Sequence, residues 1–67
     1  MKIKVNNEWV ELNEEHELIS LLKRLSLETK HGIAVAVNAE VISRKSWSEF
    51  LLKEMDEVLI IEAAQGG

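Results

Sequence analysis

Ile3 and Val5 alternate with Lys2 and Lys4, the two-residue period of a strand with one buried face. Asn6-Asn7-Glu8 follows as a turn, because asparagine tolerates positive φ. Trp9-Val10-Glu11-Leu12 then resumes the alternation, with Val10 and Leu12 on one face and Trp9 on the outward side as a half-buried edge aromatic. Two such runs around an Asn-rich break predict an opening β-hairpin. From Leu18 the period changes. Leu18, Leu21, Leu22 and Leu25 stand at i, i+3, i+4 and i+7, the stripe of an amphipathic helix. Glu14, Glu15 and Glu17 crowd its start and Lys23 and Arg24 its end, the charge order that suits the helix dipole. Asn13 or Glu17 would begin it, and residues 27–32 read as a loop broken at Gly32.

Ile33-Ala34-Val35-Ala36-Val37 is β-branched at odd positions and Ala at even ones, a third strand packed on one face. Asn38-Ala39-Glu40 is a turn and Val41-Ile42 a short fourth strand. The stretch from Ser43 to Phe50, with Trp47 and Phe50 as its apolar residues and Leu51 next, has room for one or two helical turns. Lys53-Glu54-Met55-Asp56 is a polar turn, and Glu57–Glu62 is the strongest strand of the chain. This order predicts an α+β layer in which a mixed sheet of four to five strands carries one main helix across one face. Ile3, Val5, Val10, Leu12, Val35 and Val37 would meet the helix leucines.

Composition narrows the function classes. Sixty-seven residues leave room for one small domain, expected to span 1–67 with 63–67 as a flexible tail. The chain has no cysteine, which removes disulfides, thiolate metal sites and a cysteine nucleophile. Twelve acids against 8 bases give a net charge of −4, the wrong sign for neutralising nucleic-acid phosphates or an anionic membrane surface. No apolar run approaches the ~20 residues that span a bilayer, and the N-terminus lacks a signal-peptide apolar block. The expected compartment is the cytoplasm.

Little in the chain looks catalytic. His16 and His31 stand fifteen positions apart without further ligands at close spacing, so no metal site is expected. Glu11, Glu14, Glu15 and Glu17 read as a solvated edge. The only glycines besides Gly32 are Gly66 and Gly67, so no phosphate-cradling loop exists. Two glycines without Cβ at the chain end make a thin segment able to enter a narrow channel. The terminal carboxylate of Gly67 would be ionised at neutral pH and a poor acyl donor until activated, for example as an acyl-adenylate. The last strand is apolar on both faces through Val58, Leu59, Ile60 and Ile61. One face covers the core; the other is exposed, covered by chain or used by a partner, and Ala34 and Ala36 would extend it.

Three segments resemble a known family. They are Ala36-Val37-Asn38-Ala39-Glu40-Val41-Ile42, Arg44-Lys45-Ser46-Trp47, and Asp56-Glu57-Val58-Leu59-Ile60-Ile61 running to Gly66-Gly67. Leu18-Ile19-Ser20-Leu21-Leu22 also fits. They resemble the ubiquitin-like β-grasp fold and, within it, the ThiS-type sulfur carriers of thiamine thiazole synthesis. Ser43 stands where that family usually has proline, and Met55 where it usually has glycine. If the turn at Met55 keeps positive φ it carries strain of about 1 kcal/mol; the expectation is a reshaped turn.

The resemblance implies a protein substrate with no bound cofactor, not an enzyme. A ThiF-like adenylyltransferase would use ATP and Mg²⁺ to adenylate the Gly67 carboxylate. A sulfur donor, such as a cysteine desulfurase, would displace AMP to leave a thiocarboxylate. That group would deliver sulfur to a ThiG-like thiazole synthase. Gly66, Gln65 and Ala64 would line the entry path; the resemblance turns Val58 and Ile60 inward and Leu59 and Ile61 outward, so that Leu59, Ile61, Ala34 and Ala36 would dock the partners. Alternatives are a carrier like the molybdopterin-synthase small subunit or a tRNA-thiolation carrier, a ubiquitin-like modifier, and a β-grasp interaction module that is never adenylated. Arg44 and Trp47 read as structural, with Trp47 plugging the core edge and Arg44 capping or stacking nearby.

Overall fold

The computed structural model describes residues 1–62. Strands β1 (Lys2–Val5) and β2 (Glu8–Glu11) form the opening hairpin, and helix α1 (Leu18–Arg24) follows. Then come β3 (Ile33–Val37), β4 (Glu40–Ile42), a single 3₁₀ turn (Arg44–Ser46) and β5 (Glu57–Glu62). The five strands make one sheet in the order β2-β1-β5-β3-β4. The first and last strands lie side by side and parallel, while the other pairings are antiparallel. This mixed sheet with one helix is the architecture the sequence predicts. Among the described residues no helix is long and apolar enough to cross a membrane.

Both hairpins turn on two residues of positive φ, Asn6 (49°) with Asn7 (72°) and Asn38 (51°) with Ala39 (72°). That sign is what a two-residue connection between right-twisted strands demands. The core gathers Ile3, Val5, Leu12, Val35, Val37 and Val58 from the inward faces, and Leu18, Leu21 and Leu22 from α1. Val10, expected inside, is half-buried at the edge strand and packs against this cluster.

The helix ends earlier than its apolar stripe. Ser26 takes φ 62°, its N–H donates to the Lys23 carbonyl, and the Leu27 N–H donates to the Leu22 carbonyl at 2.8 Å. This is the Schellman closure with serine in the place glycine usually takes. Leu25 is left outside α1 and exposed, while Leu27 packs against the core. At the other end Glu17 holds the N-cap position without a capping side-chain bond.

One further expectation is corrected. The turn at Met55 is not reshaped: Met55 keeps φ 70°. It is held there because its N–H donates to the Lys2 carbonyl (2.7 Å), and the next residue's N–H donates to the Lys53 carbonyl (3.0 Å). Of the apolar run Phe50-Leu51-Leu52, Leu51 is exposed and makes an isolated bridge to Glu17, and Leu52 enters the core. Ser43 takes φ −66°, the value a proline ring imposes, so replacing the family's usual proline leaves the backbone where that residue would put it.

Candidate functional site

β5 leads directly into the residues that the resemblance marks as the reacting end, so its placement governs the site. Its alternation turns Val58 into the core and sets Ile60 half-buried against it. Leu59 and Ile61 face away from α1 and are 49% and 53% exposed. The antiparallel register sets Ala34 beside Ile61 and Ala36 beside Leu59, and Val41 beside Ala36. Small side chains in β3 thus flank two large ones in β5 and leave them standing proud of the sheet. The expected exposure of this face holds, and Val41, which sequence reasoning assigned only to a short strand, extends it.

β5 is gripped from both sides by asparagine. The Asn6 side chain donates to the Ile60 carbonyl (3.2 Å) and accepts from the Ile60 N–H (2.7 Å). It continues the ladder where β1 has already turned away. On the β3 side, Asn38 Oδ1 accepts the Glu57 N–H at 2.9 Å, and its amide donates to Asp56 Oδ1 at 2.9 Å. Asp56 is buried, and its second oxygen accepts the Lys53 N–H at 2.8 Å. A buried carboxylate without donors would be costly; here both oxygens are satisfied.

The last described residue is also tethered. Glu62 pairs with Lys30 at 2.7 Å. The Lys30 carbonyl accepts from Arg44 at 2.6 Å, and the Glu28 carbonyl accepts from the same guanidinium at 2.9 Å. Arg44 lies 4.5 Å from the centroid of Trp47, whose buried indole N–H donates to the Ile42 carbonyl at 3.0 Å. Arg44 and Trp47 are therefore structural, as their sequence reading holds. Arg44 staples the 27–32 loop to a core plug.

One cluster on this face was not singled out from sequence. The ammonium groups of Lys2 and Lys4 lie 4.9 and 5.2 Å from the centroid of the Trp9 ring. Trp9 itself is 51% exposed, more open than the half-buried edge aromatic expected. The signal was present: alternation puts Lys2 and Lys4 on one face, and the two-residue turn sets Trp9 opposite Lys4. His16 and His31 are both exposed. Among the described residues no three His, Cys, Asp or Glu side chains converge as metal ligands would. The terminal positions Ala64, Gln65, Gly66 and Gly67 lie outside the described residues.

Known proteins resemble this chain over its whole length. The sulfur carrier protein ThiS of Escherichia coli (strain K12) is 24% identical over 67 residues, covering all of both chains. A crystal structure of a thiamine biosynthesis protein (ThiS) from Geobacter metallireducens superposes with a TM-score of 0.81 at 23% identity, again over all of both chains. A solution structure of a thiamine biosynthesis protein from the same organism superposes with a TM-score of 0.76 at 23% identity, covering all of this chain and 88% of that one. These structures share the β-grasp fold seen here. The ThiS family model matches residues 2–67, and the chain belongs to the ThiS family.

Proposed function

We propose that this protein is a sulfur carrier whose Gly67 carboxylate is converted to a thiocarboxylate that donates sulfur for thiazole formation in thiamine biosynthesis. The observation that carries this reading is the exposed strip of Leu59, Ile61, Ala34 and Ala36 on the strand that runs into the Gly-Gly terminus. Buried apolar anchors supply most of an interface's affinity, and this strip offers two beside small, flat neighbours. Family membership and the E. coli relative point the same way.

The steps follow from carboxylate chemistry. The Gly67 carboxylate oxygen attacks the α-phosphorus of ATP on a ThiF-like adenylyltransferase with Mg²⁺, giving an acyl-adenylate and releasing pyrophosphate. Persulfide sulfur from a donor such as a cysteine desulfurase attacks the acyl carbon, AMP leaves as an acyl disulfide forms, and a thiol reductant supplies two electrons to cleave the S–S bond; free sulfide reaches the same product directly. The resulting thiocarboxylate passes its sulfur to a thiazole synthase. Gly66, Gln65 and Ala64 give a slender approach, since glycine adds no Cβ bulk. The protein binds no cofactor in this scheme and acts in the cytoplasm.

Intact-protein mass spectrometry tests the reading. Incubation with ATP, Mg²⁺, a ThiF-type adenylyltransferase and sulfide is expected to exchange one oxygen for sulfur. Deletion of Gly67 is expected to abolish the exchange. No exchange in a folded wild-type chain, with an enzyme proven active on its own carrier, overturns the assignment and leaves an interaction module or a conjugated modifier.

A further inference from the structure

We infer that the Lys2–Lys4–Trp9 cluster is the charged half of the partner-docking face, seating carboxylates on the surface of the adenylyltransferase beside the apolar strip. This rests on the carrier reading above and extends it to what recognises the partner. Each lysine stands opposite a glutamate in the ladder, Lys2 across from Glu11 and Lys4 across from Glu57. Cross-strand ion pairs are the ordinary outcome of such a register. Neither forms: among the described residues the ion pairs are Met1–Glu11 and Lys30–Glu62. Glu11 is drawn to the N-terminal ammonium at 3.3 Å, and both lysines lie over one indole instead. Two ammonium groups sharing a ring repel each other, and an incoming anion relieves that repulsion.

The chemistry of the occupant follows from charge and position. The chain carries net charge −4, so an extended polyanion would be repelled by most of its surface. A protein surface presenting a few carboxylates can instead address single ammonium groups, and Lys2 and Lys4 offer two that pair with no carboxylate among the described residues. The cluster is continuous with the apolar strip, because Lys4, Glu57, Ala36 and Leu59 line the same cleft of about 260 Å³. A partner seated on Leu59 and Ile61 therefore reaches Lys4 without a gap.

The experiment measures adenylation of the full chain by the adenylyltransferase of its own organism, as KM and kcat over a salt series. In the double variant Lys2→Ala/Lys4→Ala, KM for the chain should rise roughly fivefold at low salt with kcat unchanged, and its salt dependence should flatten. Lys2→Arg/Lys4→Arg should restore both. Should the double variant unfold, Lys2→Ala alone, at an exposed position, carries the same readout. Unchanged KM and salt dependence with an active wild type overturn this inference and leave the carrier reading standing. So does a fall in kcat at constant KM. A salt-sensitive dimer of the chain alone, lost in the double variant, assigns the cluster to a second copy and overturns it too. A wild-type chain that the proven enzyme never adenylates sinks the carrier reading and this inference with it.

Discussion

Met55 and Ser26 hold φ of 70° and 62°, a region where a side chain with Cβ is strained. Both are exposed, so glycine there removes strain and loses little packing. Set against the entropy glycine adds to the unfolded chain, Met55→Gly and Ser26→Gly should each stabilise by about 0.5–1 kcal/mol. The two sites lie in separate turns, so the gains should add; urea melts of both singles and the double check this. Sequence reasoning raises the strain at Met55 only as the alternative to a reshaped turn, and does not reach the strain at Ser26. At Met55 the side-chain identity pointed to a reshaped turn, whereas hydrogen bonds to Lys2 and Lys53 dictate the backbone. At Ser26 the leucine period runs on to Leu25, and nothing in a period of apolar residues marks where the helix hydrogen bonds close.

β5 shows what patterning supplies and what it leaves open. Val58, Leu59, Ile60 and Ile61 are apolar without alternation, so hydrophobicity alone does not say which pair faces the core, and a slip of one residue would exchange them. The resemblance supplied the facing that the structure bears out. Among the contacts that hold this register are two amides, Asn6 on Ile60 and Asn38 on Glu57 and Asp56, too distant in sequence for any local pattern to reveal. Asn38→Gly keeps the positive φ of 51° while leaving a buried carboxylate oxygen without its donor. A loss of about 1.5–3 kcal/mol is expected in denaturant unfolding. Alternation did make β1, β3 and the inward residues legible, because each of those strands has one dry face. Leu52 was missed because Phe50-Leu51-Leu52 has neither period.

At the scale of the whole molecule, one face of the sheet is covered by α1 and the other leaves Leu59 and Ile61 exposed. Leu59→Asp separates the two. The residue is surface-exposed, so stability should change by no more than about 0.5 kcal/mol. Adenylation of the chain should fall at least tenfold through KM, since one lost apolar anchor is worth about 1.4 kcal/mol or more. Unchanged adenylation by a folded variant removes Leu59 from the docking face. The sheet order has a mechanical side as well. β1 and β5 are the first and last strands, adjacent and parallel. Tension drawing the chain onward past Glu62 while Met1 is held back runs along both strands in opposite senses. It loads their bridging bonds, and the two from Asn6 to Ile60, together in shear instead of peeling them one by one. A pull on the chain beyond Glu62 is therefore met by a base that resists being unzipped.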